Sequence, residues 1–178
     1  DDKYFLRTIR FILKIVMYHS ILNFFAYFAV KNSLSPLVSE THNVSTFYYL
    51  FFYEPVKHAF NLFGVELIRN QGWFWEPGVL QAYLNILLYL EGFVFKRKNT
   101  TLLLIVLAIF STYSTTGILI MLILLFFIFQ SSLKKNPVLA LLVVCLILPV
   151  YFVAKKNVEQ KVEANQSPSF QKRYLDLI

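Results

Sequence analysis

Residues 101–129 read TLLLIVLAIFSTYSTTGILIMLILLFFIF, and how this stretch divides decides the fold. As one α-helix it would be about 43 Å long at 1.5 Å per residue, too long for an upright crossing of a hydrocarbon core of about 30 Å. At its centre lies Ser111-Thr112-Tyr113-Ser114-Thr115-Thr116-Gly117, a run of polar or small residues that favours a break. Two readings stay open on this stretch alone. One is a single tilted helix whose hydroxyls pack on neighbours. The other is a hairpin pair, 101–114 and 115–130, meeting at Ser114–Gly117 on the outer side. Such a break is tolerated only where protein or a water-filled cavity covers it.

The apolar character continues outward in both directions. Ile9–Val30 is a long apolar run whose start is crowded by Lys3, Arg7, Arg10 and Lys14. Residues 77–95 follow Glu76 and open on Pro77-Gly78, since proline in a first helical turn costs no hydrogen bond. Lys96-Arg97-Lys98 closes that run, and a last apolar run covers 137–154. Hydrophobic residues make up 57% of the chain, charged residues 15%, and the mean hydropathy is +0.57. These figures exclude a disordered chain and argue against an ordinary soluble domain. The expected class is all-α: a polytopic integral membrane protein of about five transmembrane helices, at about 9–30, 77–95, 101–114, 115–130 and 137–154. Residues 1–178 then form a single membrane domain with outer loops at 31–76 and 155–178. The chain opens at Asp1 without methionine and stops at Ile178 in a polar stretch, so a piece of a longer protein is expected.

The net charge of +7 does not point to nucleic acid, because Lys and Arg sit in short clusters between apolar runs, as in membrane-flanking loops. The partner this implies is a lipid bilayer. The basic clusters put the start of the first span and Lys96–Lys98 on the cytoplasmic side. Counting the 17 Lys and Arg residues leaves the central stretch undecided: nine inside against eight with the break, twelve against five with one long span. The count leans to the single span. Cys145 is the one cysteine, and His19, His42 and His58 lack metal-ligand spacing, so neither a disulfide framework nor a metal site is expected. Common hydrolase, P-loop and dinucleotide signatures are missing, and no cofactor is expected.

Within the 31–76 loop, Phe47-Tyr48-Tyr49-Leu50-Phe51-Phe52-Tyr53 is too short to span a membrane. Its tyrosines suit the headgroup level, and a short surface helix is expected over 44–64. The chemistry-bearing run is Arg69-Asn70-Gln71-Gly72-Trp73-Phe74-Trp75-Glu76-Pro77-Gly78. It places a guanidinium, an amide pair, two indoles and a carboxylate at one membrane edge. A guanidinium matches phosphate oxygens with paired hydrogen bonds, and indole faces suit both sugar rings and the interface. The bland alternative is that Glu76 caps a helix and Trp73 and Trp75 anchor it.

Arg69 to Gly78 before a span, then a basic turn, then Thr112-Tyr113-Ser114-Thr115-Thr116-Gly117 in an apolar run, resembles the bacterial O-antigen polymerase and ligase superfamily. The polymerase branch, which includes capsular and exopolysaccharide polymerases, is the nearer likeness. Ser169 to Asp176, with Arg173, resembles the opening of that family's next outer loop. The resemblance covers about residues 65–178. It implies two functional outer loops separated by four helices with a short outer turn between, which requires the break at 114–117.

It also implies a reaction on the outer face of the bacterial inner (cytoplasmic) membrane. A glycan carried on undecaprenyl pyrophosphate is transferred to a hydroxyl of another lipid-linked unit. In the ligase branch the acceptor differs. A flippase and a chain-length regulator are the implied partners, and no metal is required. A lipid pyrophosphate leaving group calls for cationic donors. Arg69 is expected to serve that purpose, with Arg173 beside the substrate. Glu76 is placed as a base on the acceptor hydroxyl or as the group that orients Arg69. Trp73, Trp75, Ser114, Thr115 and Thr116 are expected to contact sugar or phosphate. For the three hydroxyls, helix–helix hydrogen bonding is the competing reading. A transporter or flippase fragment is a rival of a different class, with the mid-membrane hydroxyls lining a path.

Overall fold

The central stretch is broken. In the computed structural model, which describes residues 2–38, 43–54, 59–62, 65–96, 98–135 and 155, the chain is mostly helical. Helix α1 is Asp2–Val30, extended by a 3-10 turn at Lys31–Ser33. Helix α2 is Pro77–Tyr89 and runs on through a π-turn at Leu90–Val94. Helix α3 is Asn99–Ser111 and helix α4 is Thr115–Lys135. Two helical segments, Asp2–Ser33 and Thr115–Ser132, are long and apolar enough to cross a membrane, and Asn99–Ser111 is apolar but shorter. The expected span 137–154 lies outside the described residues, as does the loop 155–178 apart from Lys155.

The break is made by local hydrogen bonding. Thr112 N–H donates to the Ile109 carbonyl and Tyr113 N–H to the Phe110 carbonyl, tightening the last turn of α3. The Thr112 hydroxyl donates to the Ile109 carbonyl at 2.7 Å. Tyr113 then takes a left-handed φ of 47°, which carries the chain out of the helix. The Ser114 carbonyl accepts from Ile118 N–H at 3.0 Å and starts α4. Gly117 lets α4 close on α2, because a Cβ there would collide with Gln81. Asn85 Nδ2 crosses the same contact to the Gly117 carbonyl at 3.1 Å.

Apolar side chains fill the space between the four helices, with Met17, Leu80, Leu84, Ile105, Ile109 and Met121 essentially inaccessible. Apolar side chains also face outward, among them Phe25, Leu103, Leu119 and Phe126. At one end of this core the π-turn presents Glu91, fully buried, to α1. Arg10 Nε and Nη2 donate to Glu91 Oε1 and Oε2 at 2.6 and 2.9 Å, and Lys14 Nζ reaches Oε1 at 2.9 Å. Arg10 also lies 4.4 Å above the Phe95 ring. Lys14 therefore does more than extend toward water at a helix end.

The loop from residue 35 to 68 corrects the surface helix expected over 44–64, and with it a wholly α reading. Strands β1 (Ser35–Val38), β2 (Asn43–Phe47) and β3 (Phe51–Tyr53) form an antiparallel sheet in that order, with Ser35 opposite Thr46 and Ser45 opposite Tyr53. Strands β4 (Ala59–Leu62) and β5 (Val65–Ile68) pair separately. The β-branched and aromatic residues of this segment suit a pleated surface better than a helix. The β2–β3 turn places Tyr48 and Tyr49 at φ 49° and 57°, closed by Leu50 N–H to the Phe47 carbonyl at 3.0 Å. Such a turn ordinarily takes Asn-Gly, and left-handed φ costs roughly 1–2 kcal/mol for an ordinary residue.

Two stability predictions follow from these contacts. Gly117→Ala is expected to lower stability by about 1–3 kcal/mol through overpacking against Gln81, read as a lower unfolding temperature in detergent. Glu91→Ala should cost about 2–3 kcal/mol. That is less than a wholly buried pair loses, because the Arg10 and Lys14 side chains are each 25% exposed. Unchanged melting in the Glu91 variant would rule out the ion-pair cluster as a structural anchor.

Candidate functional site

At the opposite end of the bundle from Glu91, one buried amide gathers three segments. Asn70 Nδ2 donates to the Ser20 carbonyl and to Ser111 Oγ, both at 2.8 Å. Its Oδ1 accepts from Asn23 Nδ2 at 3.0 Å and from Gly72 N–H at 3.1 Å. Its backbone N–H donates to the Ser111 carbonyl at 2.9 Å. Ser111 Oγ in turn donates to the Ala108 carbonyl at 2.7 Å. Gly72 sits at φ +58°, a left-handed conformation that L side chains rarely adopt, so the turn after Asn70 suits glycine.

Arg69 is held beside this amide. Its Nε donates to the Thr112 carbonyl at 3.2 Å, and among the described residues this is its one hydrogen bond. Burial pushes the Arg69 guanidinium below its ordinary pKa, and the Glu76 carboxylate acts against that shift. A guanidinium keeps its proton throughout, so the result is a poorly solvated cation with N–H groups to spare. Arg69 lines a cavity of about 10 Å³ together with Asn23, Tyr53 and Asn70, room for about one water. Tyr53 donates to the Asn23 carbonyl at 2.9 Å, and burial, with Tyr27 nearby, raises its hydroxyl pKa, keeping it a donor. Asn23 Oδ1 and Gln71 Oε1 are buried acceptors without a partner among the described residues, and each would take a ligand hydroxyl or a water.

Phe24 separates this cavity from a larger apolar cleft of about 310 Å³ between α1 and α3, lined by Ile21, Phe24, Phe25, Leu107 and Phe110. The two motifs read from the sequence thus adjoin through Arg69 and Thr112. Their remaining residues are spread around that contact. Glu76 starts α2 with its carbonyl, which accepts from Val79 N–H at 3.1 Å; its side chain is exposed and makes no cap. Trp73 stacks on His19 with ring centres 4.0 Å apart, and Trp75 is exposed. Ser114 is buried and Thr116 exposed. The hydroxyls of Ser114, Thr115 and Thr116 make no hydrogen bond among the described residues; Ser111 and Thr112 supply the bonded ones. Arg173 lies outside the described residues.

Several members of this layer are absent from the sequence-based set. Ser20, Asn23 and Ser111 belong to it, as does Asn70, which the sequence presents only as half of an amide pair. The available signal was polarity inside apolar runs, which in a membrane segment marks a partner or a site. The same signal marks Gln81, Asn85 and Glu91 on α2, all buried.

No family model, curated protein or solved structure matches the chain.

Asn70→Ala removes four side-chain hydrogen bonds at once and is expected to destabilise the protein by about 2–4 kcal/mol, at about 0.5–1 kcal/mol each. Hydrogen exchange should rise across 108–116. Trp75→Ala, at an exposed position, should change neither exchange nor melting.

Proposed function

We propose that this chain is part of a polytopic membrane enzyme that polymerises lipid-linked oligosaccharides on the outer side of the bacterial cytoplasmic membrane. In this reading the five expected spans hold, α1 rises from the cytoplasm, and the Arg69 layer faces outward. Asp2–Ser33 and Thr115–Ser132 are compatible with crossing, and the outward apolar side chains suit a lipid surround. The observation that carries the proposal is the Arg69 Nε to Thr112 carbonyl contact, which joins both motifs of the resemblance at one end of the bundle.

The chemistry needed is modest and the residues suit it. A half-buried guanidinium with one hydrogen bond among the described residues favours a phosphate partner, since paired charge-assisted bonds restore the solvation lost on partial burial. That charge would stabilise the pyrophosphate as it leaves the anomeric carbon. The exposed Glu76 carboxylate would take the proton from the acceptor hydroxyl or orient Arg69. The apolar cleft beside Phe24 suits the first units of an isoprenoid chain. Trp75, Thr115 and Thr116 would meet sugar at the rim. A flippase would supply the lipid-linked units and a chain-length regulator would limit the product.

The test uses the full-length protein in its own host with Arg69→Ala, Arg69→Lys and Trp75→Ala. Arg69→Ala should abolish the glycan ladder and leave single lipid-linked repeat units. Arg69→Lys should rescue little, because ammonium cannot reproduce the paired geometry. Long lipid-linked polymer left unattached would assign the ligase reaction instead. An unchanged ladder with the variant protein present would remove Arg69 from the site and favour transport.

A further inference from the structure

The Glu91 end of the bundle carries more cationic charge than its own ion pairs use. Lys3, Arg7, Arg10 and Lys14 follow one another along α1 at spacings of four, three and four residues. That spacing keeps them within about 60° of the helix circumference and about 16 Å of its length. Arg10 and Lys14 share the single carboxylate of Glu91, so the trio keeps a net positive charge. Arg10 Nη1 is left over from that contact, and the Arg10 and Lys14 side chains are each 25% exposed. Arg7, one turn away, is exposed and makes no hydrogen bond or ion pair among the described residues. The basic turn after α2 arrives at the same place. Phe95 lies 4.4 Å under the Arg10 guanidinium, and the exposed Lys96 and Lys98 follow it. Across Asp2–Val30 and residues 90–98, the acidic side chains are Asp2 and Glu91 alone.

An apolar stripe runs beside this basic face. Phe11, Ile15, Tyr18 and Leu22 repeat the spacing of four, three and four residues, about 80° further round α1. All four are exposed, Phe11 by 65% and Leu22 by 61%, while Leu13, Val16 and Met17 turn the other side of the helix into the core. The stripe starts level with Arg10 and runs about 16 Å along the helix. One leaflet of a hydrocarbon core of about 30 Å is about 15 Å deep, so the stripe matches the depth of a single leaflet. A basic face alone would suit any polyanion. A basic face continued by an uncovered apolar stripe suits a molecule with an anionic head and an apolar tail.

We propose that this face of α1 binds an anionic phospholipid of the leaflet at the Glu91 end, the cytoplasmic one in the orientation given under Proposed function. The lipid phosphate sits on Arg7 and on Arg10 Nη1, with Lys96 and Lys98 beside it, and an acyl chain lies along Phe11 to Leu22. Arg7 supplies paired charge-assisted hydrogen bonds to the phosphate oxygens. Glu91 is a positioning residue, because it holds the Arg10 guanidinium with Nη1 left over. The site rests on the membrane placement under Proposed function and not on the reaction. A soluble polyanion held by charge alone, or a lipid held without regard to its headgroup, is the opposed outcome.

The test titrates the full chain in detergent with phosphatidylglycerol or phosphatidylcholine of identical acyl chains and counts bound lipid by native mass spectrometry. Phosphatidylglycerol should be held more tightly. Arg7→Ala should weaken it about fivefold, the worth of one cation at a membrane surface, and leave phosphatidylcholine unchanged. Arg7 is exposed, so the variant should melt as the parent does. Lys31→Ala, an exposed cation at the far end of α1, should change neither lipid. Glycerophosphoglycerol, the headgroup without chains, should not displace the lipid at equal concentration. Equal retention of the two lipids, equal losses in the Arg7 and Lys31 variants, or displacement by glycerophosphoglycerol each overturns the proposal. Headgroup selectivity in a protein whose glycan ladder survives Arg69→Ala would keep the lipid site and remove the enzymatic reading. Lost selectivity with the ladder abolished would do the converse.

Discussion

Asn70 is the constraint on which the end of the bundle away from Glu91 depends. Its side chain uses its full capacity, two donated and two accepted hydrogen bonds, and its backbone adds a third donated bond. Those bonds reach α1 through Ser20 and Asn23, α3 through Ser111, and the following turn through Gly72. For buried groups an unmade hydrogen bond is costly, so a satisfied network sets one arrangement. Arg69 is adjacent in sequence and its reach to Thr112 follows from where Asn70 is fastened. The two motifs meet because a residue between helices has nowhere else to satisfy its polarity.

The bundle has a second polar anchor at its other end. Arg10, Lys14 and Glu91 join α1 to the π-turn of α2, about 9–15 Å along α1 from Ser20. Between the anchors the contacts are apolar except at Gln81 and Asn85, and apolar side chains also point outward. Where the inside and outside of a helix are equally greasy, burial alone does not select a rotation or a register. Two polar layers and the close approach at Gly117 supply that selection. This is also why buried Gln81 and Asn85 are tolerated on α2: Asn85 bonds Gln81 and the carbonyl of Gly117.

The loop shows the limits of reading a sequence locally. Phe47 to Tyr53 is a short aromatic run with no decisive period, and its turn residues are two tyrosines where Asn-Gly would signal a hairpin. The turn holds because Thr46, Phe47 and His19 bond its backbone, and His19 is distant in sequence. Glu91 and Asn70 escaped for a related reason. A polar residue in an apolar run announces that it has a partner, but not which partner. The helix start at Pro77 was legible because it depends on adjacent residues; the central break, one of two readings and expected at Ser114–Gly117, falls at Thr112–Ser114 because Thr112 and Tyr113 close the last turn of α3.

By itself, then, the sequence determined the apolar runs that become helices, the polar run Ser111–Gly117 where a break is one of two readings, and the two motifs around Arg69 and Thr112. Each rests on apolar run length, on helix-ending residues, or on local chemistry that acts within a few positions. The tertiary structure alone decided that Arg69 lies against the break, that Glu91 gathers Arg10 and Lys14, and that the aromatic hairpin returns along α1 to His19. Those outcomes join residues tens of positions apart. They follow from satisfying every buried donor and acceptor at once, a condition of the whole packed molecule rather than of any one stretch.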